Sequence, residues 1–518
     1  MKKDILIGID LGSSNVKTVV FNKDCELLAI ETQEYPTLMP KPGWTEYNSN
    51  DWWEGTINTL DKCIKKAQIN PRRVAGMGFS ALGACPVPMD EDGNVLYNCI
   101  PWSDQRAQEE INYLNKYCKD ILYDSIYMIP TTLNGIPHVM WLKNNKPDVY
   151  DHMYKFVEPS GFLGQRFTGE FTMDLSFVSG LWFGFDKRIL GYNKKIIDAM
   201  GLDIKKYPRI HKNTESIGVV NEKAEKISGI PAGTPVFIGG PDVAPGALAA
   251  GALYPGQGYY SMGSGANMMV LTDKDVRSPY MVHYFHNKGP ELIMLDGVQG
   301  SIGYSLRWFR DQFSGLEKEA CRILNGNIRD FEIMDLEAIN TKPGSGGIIY
   351  LPYLHGKFHP ILNPNARAVF FGISPSTTRL QIMRSVMEGC SYDMYQSLKV
   401  HFDLGLDVEE IIATGGPSKS DLWCQIMADV SNRKIVTVNA PEAAPFGDAI
   451  LAGVGVGLFS SFEDVADRAV KIKKIYEPNQ RNHNLYMELF EIYEEIYDAL
   501  YKSFDKLALI KIKNNIIS

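Results

Sequence analysis

At 518 residues the chain is longer than one hydrophobic core usually supports, since single cores stop growing at roughly 250–300 residues, so two domains of similar size are expected. Hydrophobic residues at 45% and charged residues at 22% describe an ordinary globular protein and exclude a disordered one. A formal net charge of -8 excludes a broad electrostatic footprint for nucleic acid or an anionic membrane, and favours a small polar partner.

Residues Ile5 to Ile9 form a continuous apolar run that stops at Asp10, short of the ~7–15 residues of a secretory signal core, and it reads as a strand. A glycine-containing turn, Gly12-Ser13-Ser14-Asn15, leads through Lys17 into the β-branched run Thr18-Val19-Val20-Phe21, the returning strand of a hairpin. A phosphate tail needs backbone N–H donors that it can approach closely, which small turn residues permit, and a nearby cation such as Lys17. Asp10 could hold Mg²⁺ through water. Taken alone, a plain turn with a capping aspartate is the stronger reading of these residues.

Three-and-four spacing of apolar residues predicts helices at Trp52 to Gln68, Ser103 to Tyr117 and Thr377 to Val400. A last helix is expected over Asn484 to Phe504, with Leu485, Leu489, Ile492, Ile496 and Leu500 as its packing face. The eight cysteines are scattered, without Cys-x-x-Cys pairs, and read as free thiols of a reducing cytosol. No stretch approaches the ~18 uninterrupted apolar residues of a membrane helix, so a cytoplasmic protein is expected.

The apolar strand Val236-Phe237-Ile238 delivers Asp242 on a glycine-rich turn. A hydroxyl is a poor nucleophile, and a kinase places a carboxylate to accept its proton; in isolation Gly-Gly-Pro-Asp is a common turn composition, and the plain turn is the stronger reading. The turn Tyr254-Pro255-Gly256-Gln257 sets the expected boundary, giving domains 1–253 and 254–505 with a tail at 506–518. A second hairpin follows it: Gly258 to Met262, the turn Gly263-Ser264-Gly265-Ala266-Asn267, then Met268 to Leu271. Two versions of one hairpin suggest internal duplication. Farther on, the strand Ile411 to Thr414 enters Gly415-Gly416 and a helix whose start is marked by the capping spacing Ser418 to Asp421. Tandem glycines let a flat adenine or ribose lie against backbone, and a helix cap explains the segment as well.

Taken in order, these segments resemble the FGGY carbohydrate kinase family of the actin-like ATPase fold, over nearly the whole chain. The later of the family's two identifying segments matches at Ala368, Phe370, Gly372 and Ile373 and again at Gln381, Ile382, Ser385, Val386, Met387 and Glu388. The earlier one, Gly135 to Asn145, keeps Trp141-Leu142 but has His138 in place of lysine. The resemblance implies an α/β protein of two ribonuclease H-like domains with a nucleotide cleft between them, and ATP and Mg²⁺ as cofactors.

By position, Asp242 resembles the family's catalytic base, and Asp10, Gly12, Ser13, Ser14, Asn15 and Lys17 its first phosphate and Mg²⁺ site, with Asp10 and Asp242 on the metal side. Gly263 and Ser264 resemble the second phosphate loop. Gly415, Gly416, Ser418 and Ser420 resemble the adenosine site, continued by Trp423, Gln425, Ala428 and Asp429. On the substrate side, Trp102-Ser103-Asp104-Gln105-Arg106 resembles the Trp-Asn-Asp-Gln-Arg of xylulokinases, so Trp102, Asp104 and Arg106 are expected to meet substrate; Ser103 as a helix N-cap is compatible with this. Two departures concern the acceptor: Ala84 stands where a sugar-binding histidine is expected, and Val243 follows Asp242 where those enzymes have asparagine.

The expected activity is in-line transfer of the γ-phosphate of ATP to a hydroxyl of a small sugar or polyol, with a ketopentose first and a polyol, a gluconate-type sugar acid or a signalling diketose as alternatives. A non-catalytic sugar- and ATP-binding regulator of the same fold is the rival class. The resemblance leaves room for a homodimer, although the sequence itself does not fix an oligomeric state.

Overall fold

The computed structural model describes residues 3–324, 328–439 and 443–514. The chain divides into two compact units: Met1–Pro255, Thr272–Leu295 and Asn439–Lys471 form the first, and Gly256–Leu271, Asp296–Val438 and Ile472–Ser518 the second.

The first unit is built on a six-stranded mixed sheet in the order Gly218–Val219, Pro235–Pro241, Val74–Ala81, Ile5–Leu11, Asn15–Asn22 and Leu27–Glu34. The strand Ile5–Leu11 pairs antiparallel with its hairpin partner and parallel with Val74–Ala81, which pairs parallel with Pro235–Pro241. Both faces of that first strand are covered, which is why its sequence is a continuous apolar run. Ile5, Ile7, Ile9 and Leu11 enter one core with Trp52 and Phe162, while Leu6 enters another with Phe446 and Ala449. On the second face, Gly8 and Gly78 admit the helix Ala443–Gly455 directly onto the sheet. A Cβ at Gly8 would lie 1.7 Å from the Pro445 carbonyl oxygen, and one at Gly78 would lie 2.2 Å from that of Asp448.

The second unit repeats the plan. Ala266–Thr272, Gly258–Met262, Glu410–Gly415, Lys434–Val438 and Ile472–Tyr476 lie side by side in that order. The hairpin's first strand, Gly258–Met262, again pairs antiparallel with its partner and parallel with a strand from far along the chain, Glu410–Gly415. The helix Arg379–Asp403 starts on a capping box in which Thr378 and Gln381 satisfy each other's backbone N–H groups.

Several sequence expectations shift. The helix expected from Ser103 begins at Gln108, and Ala107 at its N-cap makes no side-chain bond, so Ser103 is not a cap. The cap expected at Ser418 is supplied by Ser420, which accepts from the Trp423 N–H at 3.0 Å, because Pro417–Lys419 forms its own 3₁₀ turn first. The last helix runs over Gln480–Lys513 and buries Tyr486, Phe490, Tyr493 and Tyr497; of the expected face Ile496 is buried with them, Leu489 and Leu500 are half-buried, and Leu485 and Ile492 are exposed. The aromatic face wins because it carries more apolar area and because its hydroxyls reach buried polar partners. Tyr486 donates to Glu388 at 2.9 Å, and the Tyr493 hydroxyl lies 2.7 Å from that of Tyr353. All eight cysteines are free thiols, as expected.

Candidate active site

In the first unit, Asp10 is the penultimate residue of the strand Ile5–Leu11 and stands opposite Lys17 across the hairpin ladder. The turn between them closes with a bond from the Gly12 N–H to the Asn15 carbonyl, 3.0 Å. Ser13 and Ser14 are exposed at its tip. The turn's carbonyls are all occupied: the Tyr35 hydroxyl donates to Gly12, the Tyr47 hydroxyl donates to Ser13 at 2.9 Å, and the Tyr35 N–H donates to Ser14 at 3.2 Å.

Asp242 follows the strand Pro235–Pro241 and opens the helix Val243–Ala250. Its N–H donates to the Ala81 carbonyl at 3.0 Å, which ties it to the end of the strand beside that of Asp10. Its carboxylate makes no capping bond to its helix beyond the Val243 N–H. Burial, and then the charge of Asp10, push the Asp242 pKa up to about 7. Burial likewise lifts Asp10 to about 6, against the opposing pull of the Ser80 hydroxyl and of Lys17.

A third carboxylate joins them. Asp448, fully buried on the helix Ala443–Gly455, lies 2.6 Å from the Ser80 hydroxyl, which lies 3.1 Å from Asp10. Burial pushes Asp448 far above the ordinary carboxylate range, opposed by Ser80 and reinforced by Asp10 and Asp242. A hydroxyl has a single proton, and Ser80 shares it between the Asp448 oxygen at 2.6 Å and the Asp10 oxygen at 3.1 Å. Sequence reading missed Asp448; its one signal was a lone carboxylate inside the apolar run from Pro445 to Leu458.

On the expected substrate side, Ala84 is buried with φ +40°, in the left-handed region, and the next N–H, from Cys85, donates to the buried Glu158 carboxylate at 2.9 Å. Trp102 is half-buried. Asp104 and Arg106 are brought to each other. Arg106 forks onto both Asp104 oxygens at 2.9 Å, reaches Glu46 at 2.8 Å, and lies 3.8 Å from the centroid of the Trp44 ring. The N–H groups of Thr45 and Arg106 also donate to Asp104, so both of its oxygens are engaged within the protein.

The second unit contains a pocket of about 430 Å³ that gathers Gly263, Ser264, Gly416, Ser420 and Trp423 from two separate segments. Leu306, Phe331 and Pro417 add apolar walls suited to a flat base, and Arg307, Arg329 and Lys419 add positive charge. The Gly263 and Ser264 carbonyls accept from the Gly303 and Tyr304 N–H groups at 3.2 and 3.0 Å, and Arg307 donates to the Ser264 hydroxyl at 3.1 Å. Gly415, at φ +92°, and Ser418, which donates to the Gly415 carbonyl at 2.8 Å, shape the turn rather than the wall. Asp335 lines the pocket, and burial lifts its carboxyl to about 6. Sequence reading missed Arg307, Arg329, Phe331 and Asp335, which lie on helices or loops without a motif of their own.

Models of known families settle the affiliation. The N-terminal domain of the FGGY family of carbohydrate kinases matches residues 5–249, and the C-terminal domain of the same family matches residues 258–456. The chain belongs to the FGGY family of carbohydrate kinases. The FGGY chain is 29% identical over 499 residues to a xylulose kinase of Staphylococcus xylosus, covering 95% of this chain and 99% of that one. It is 26% identical over 516 residues to an autoinducer-2 kinase of Escherichia coli, covering 98% and 96%. Its fold matches a gluconate kinase from Lactobacillus acidophilus with a TM-score of 0.87 at 23% identity, covering 97% and 99%. The FGGY fold, two α/β domains of the actin-like class with one mixed sheet each, is therefore the fold of this protein.

FGGY kinases use ATP, and the donor set fits the cation that accompanies it. Mg²⁺ takes one or two carboxylates, phosphate oxygens and water rather than an all-protein cage. Asp10 and Asp242 are two carboxylates each raised by burial, the condition a divalent cation relieves. Among the described residues no group of three or more His, Cys, Asp or Glu side chains is arranged to hold a metal by itself. Nor, among them, is any helix long and apolar enough to cross a membrane.

Proposed function

We propose that this FGGY kinase transfers the γ-phosphoryl group of ATP to a hydroxyl of a small sugar or polyol, with a ketopentose as the first candidate and Asp242 as the general base. The observation that carries the reading is Asp242 itself: a carboxylate at the end of a strand beside that of Asp10, held among the described residues by the Val243 N–H alone, with its pKa raised to about 7 by burial and by the charge of Asp10. A base with that pKa accepts a proton readily at neutral pH.

Asp242 takes the proton of the acceptor hydroxyl while that hydroxyl's oxygen bonds to the γ-phosphorus and the bond from the γ-phosphorus to the β–γ bridging oxygen breaks, releasing ADP. Within the first unit the turn Gly12 to Asn15 with Lys17 offers donors for phosphate oxygens, and within the second unit the loop at Gly263 and Ser264 offers its own. Mg²⁺, when bound with ATP at Asp10 and Asp242, neutralises phosphate charge. Leu306, Phe331 and Trp423 hold the adenine, and Gly416 and Ser420 the ribose side.

The ketopentose assignment is supported by the xylulose kinase relative; Ala84 and Val243 withhold two polar contacts expected for xylulose, which keeps polyols, sugar acids and a signalling diketose as alternative acceptors. An ADP-release assay over ketopentoses, tetritols, pentitols, glycerol and gluconate is the test. We expect substrate-stimulated turnover that Asp242→Asn lowers by about 10²–10⁴-fold. Turnover that survives that substitution removes Asp242 as base, and ATP binding with no turnover on any compound favours the regulator.

A further inference from the structure

Among the described residues no helix N–H bonds the carbonyls of the turn Gly12–Asn15, unlike those of its counterpart Gly263–Ala266, where Gly303 and Tyr304 in the first turn of the helix Ile302–Phe313 donate to Gly263 and Ser264. Two tyrosine side chains do the equivalent work. Tyr35 and Tyr47 come from outside the hairpin, are buried, and meet edge-on with ring centroids 5.8 Å apart, both packed on the fully buried Trp52. Their hydroxyls donate to successive carbonyls of the turn, Gly12 and Ser13. A trans peptide unit is planar, with its C=O and the following N–H pointing opposite ways. A hydroxyl that fixes the Gly12 carbonyl therefore fixes the direction of the Ser13 N–H, and one that fixes the Ser13 carbonyl fixes that of the Ser14 N–H. Both N–H groups are turned away from the tyrosines, at the exposed tip of the turn.

We infer that Tyr35 and Tyr47 are positioning residues for phosphate: through their hydroxyls they preset two backbone donors of the Gly12–Asn15 turn toward a phosphate group of the nucleotide. Neither touches the reacting atoms. Preset donors avoid reorganisation when charge arrives, and so favour the transferring phosphoryl group over a merely bound nucleoside. The second unit obtains the same orientation from main-chain donors, which no side-chain substitution removes; the first obtains it from two hydroxyls that can be deleted. The inference rests on the proposed kinase reading only for its effect on turnover, since the donors would bind phosphate whether or not transfer follows.

The test compares Tyr35→Phe, Tyr47→Phe and the double substitution with the parent protein. Calorimetric binding of AMP and of a non-hydrolysable ATP analogue with Mg²⁺ is measured together with melting temperature and, on the best acceptor, kcat and KM. AMP engages the base and ribose walls, so its affinity should stay within about twofold, whereas affinity for the ATP analogue should fall about tenfold or more, a loss of one well-made polar contact. kcat/KM for ATP should fall in parallel. Equal losses for AMP and the analogue, or no loss for either, overturn the inference, as does failure of the parent protein to bind the analogue more tightly than AMP. If the double variant does not fold, each single variant must show the same discrimination between the two nucleotides. A parent protein that binds the analogue preferentially but turns over no acceptor would sink the kinase reading while the binding comparison still decides the role of the tyrosines.

Discussion

The Ser80 hydroxyl lies 2.6 Å from the Asp448 carboxylate and joins the strand Val74–Ala81 to a helix 368 residues later in the chain. The contact is made between groups that are both fully buried, next to the half-buried Asp10. A raised native pKa means the folded protein holds the Asp448 proton more tightly than the unfolded chain does. Stability from this group is then full below the unfolded carboxylate pKa and is lost as pH rises toward the folded value.

Asp448→Asn keeps the shape and a neutral donor, so its stability relative to the parent should increase as pH rises above the ordinary carboxylate range. Asp448→Leu should instead cost about 1–3 kcal/mol, because the buried Ser80 hydroxyl loses its shorter bond and keeps only the longer one to Asp10. Urea midpoints of the three proteins from pH 4 to pH 8 check both statements. A parallel pH dependence for the parent and the Asn variant would contradict the buried proton.

How much of this was legible in the sequence follows from the range of each interaction. The hairpins at Asp10 and Gly263 and the Asp242 strand end are local: a run of apolar residues, a glycine turn and a returning run lie within a few residues of one another. The Ser80–Asp448 bond is not local, and no periodicity records a partner 368 positions away. The same reason hides the return of residues 439–471 to the first unit, where Gly8 and Gly78 look like ordinary strand glycines until the helix Ala443–Gly455 is laid on them. The later family segment was legible as a pattern but not as a set of tasks. Gln381 caps a helix, and Glu388 accepts from Gly344, Ser345, Arg384 and Tyr486, so these residues build the second unit rather than touch its pocket.

Arg106 illustrates a residue whose fork matters more than its charge. Its side chain is wholly buried between Asp104, Glu46 and the Trp44 ring. Arg106→Ala would strand two carboxylates and should cost about 3–5 kcal/mol. Arg106→Lys keeps the charge but loses the bidentate geometry and the stacking, and should recover only part of that loss. Denaturant unfolding of both variants gives the answer; a lysine variant as stable as the parent would show that charge alone suffices.

In the pocket of the second unit, Phe331 supplies an apolar wall without a polar contact of its own to the loop Gly415–Ser420. Phe331→Ala should weaken nucleotide binding through the base, by about 1–3 kcal/mol if the ring stacks on adenine. The loss is uniform between bound and transition states, so KM for ATP should rise while kcat holds. Steady-state kinetics with varied ATP separate the two, and a fall in kcat with unchanged KM would place Phe331 outside the base site.

The pH profile tests the pairing of Asp242 with Asp10. A base must be unprotonated to act, so kcat/KM for the acceptor should fall with falling pH below a midpoint near the Asp242 pKa of about 7. Part of that elevation comes from the negative charge of Asp10. Neutralising Asp10 removes a charge that disfavours ionisation of Asp242, so in Asp10→Asn the residual activity should keep its acid limb but carry it to lower pH. If Asp10 instead acts only as a cation ligand, the rate falls and the midpoint stays in place. A midpoint that moves upward would mean that the two carboxylates do not sense each other in the way their burial and charges require.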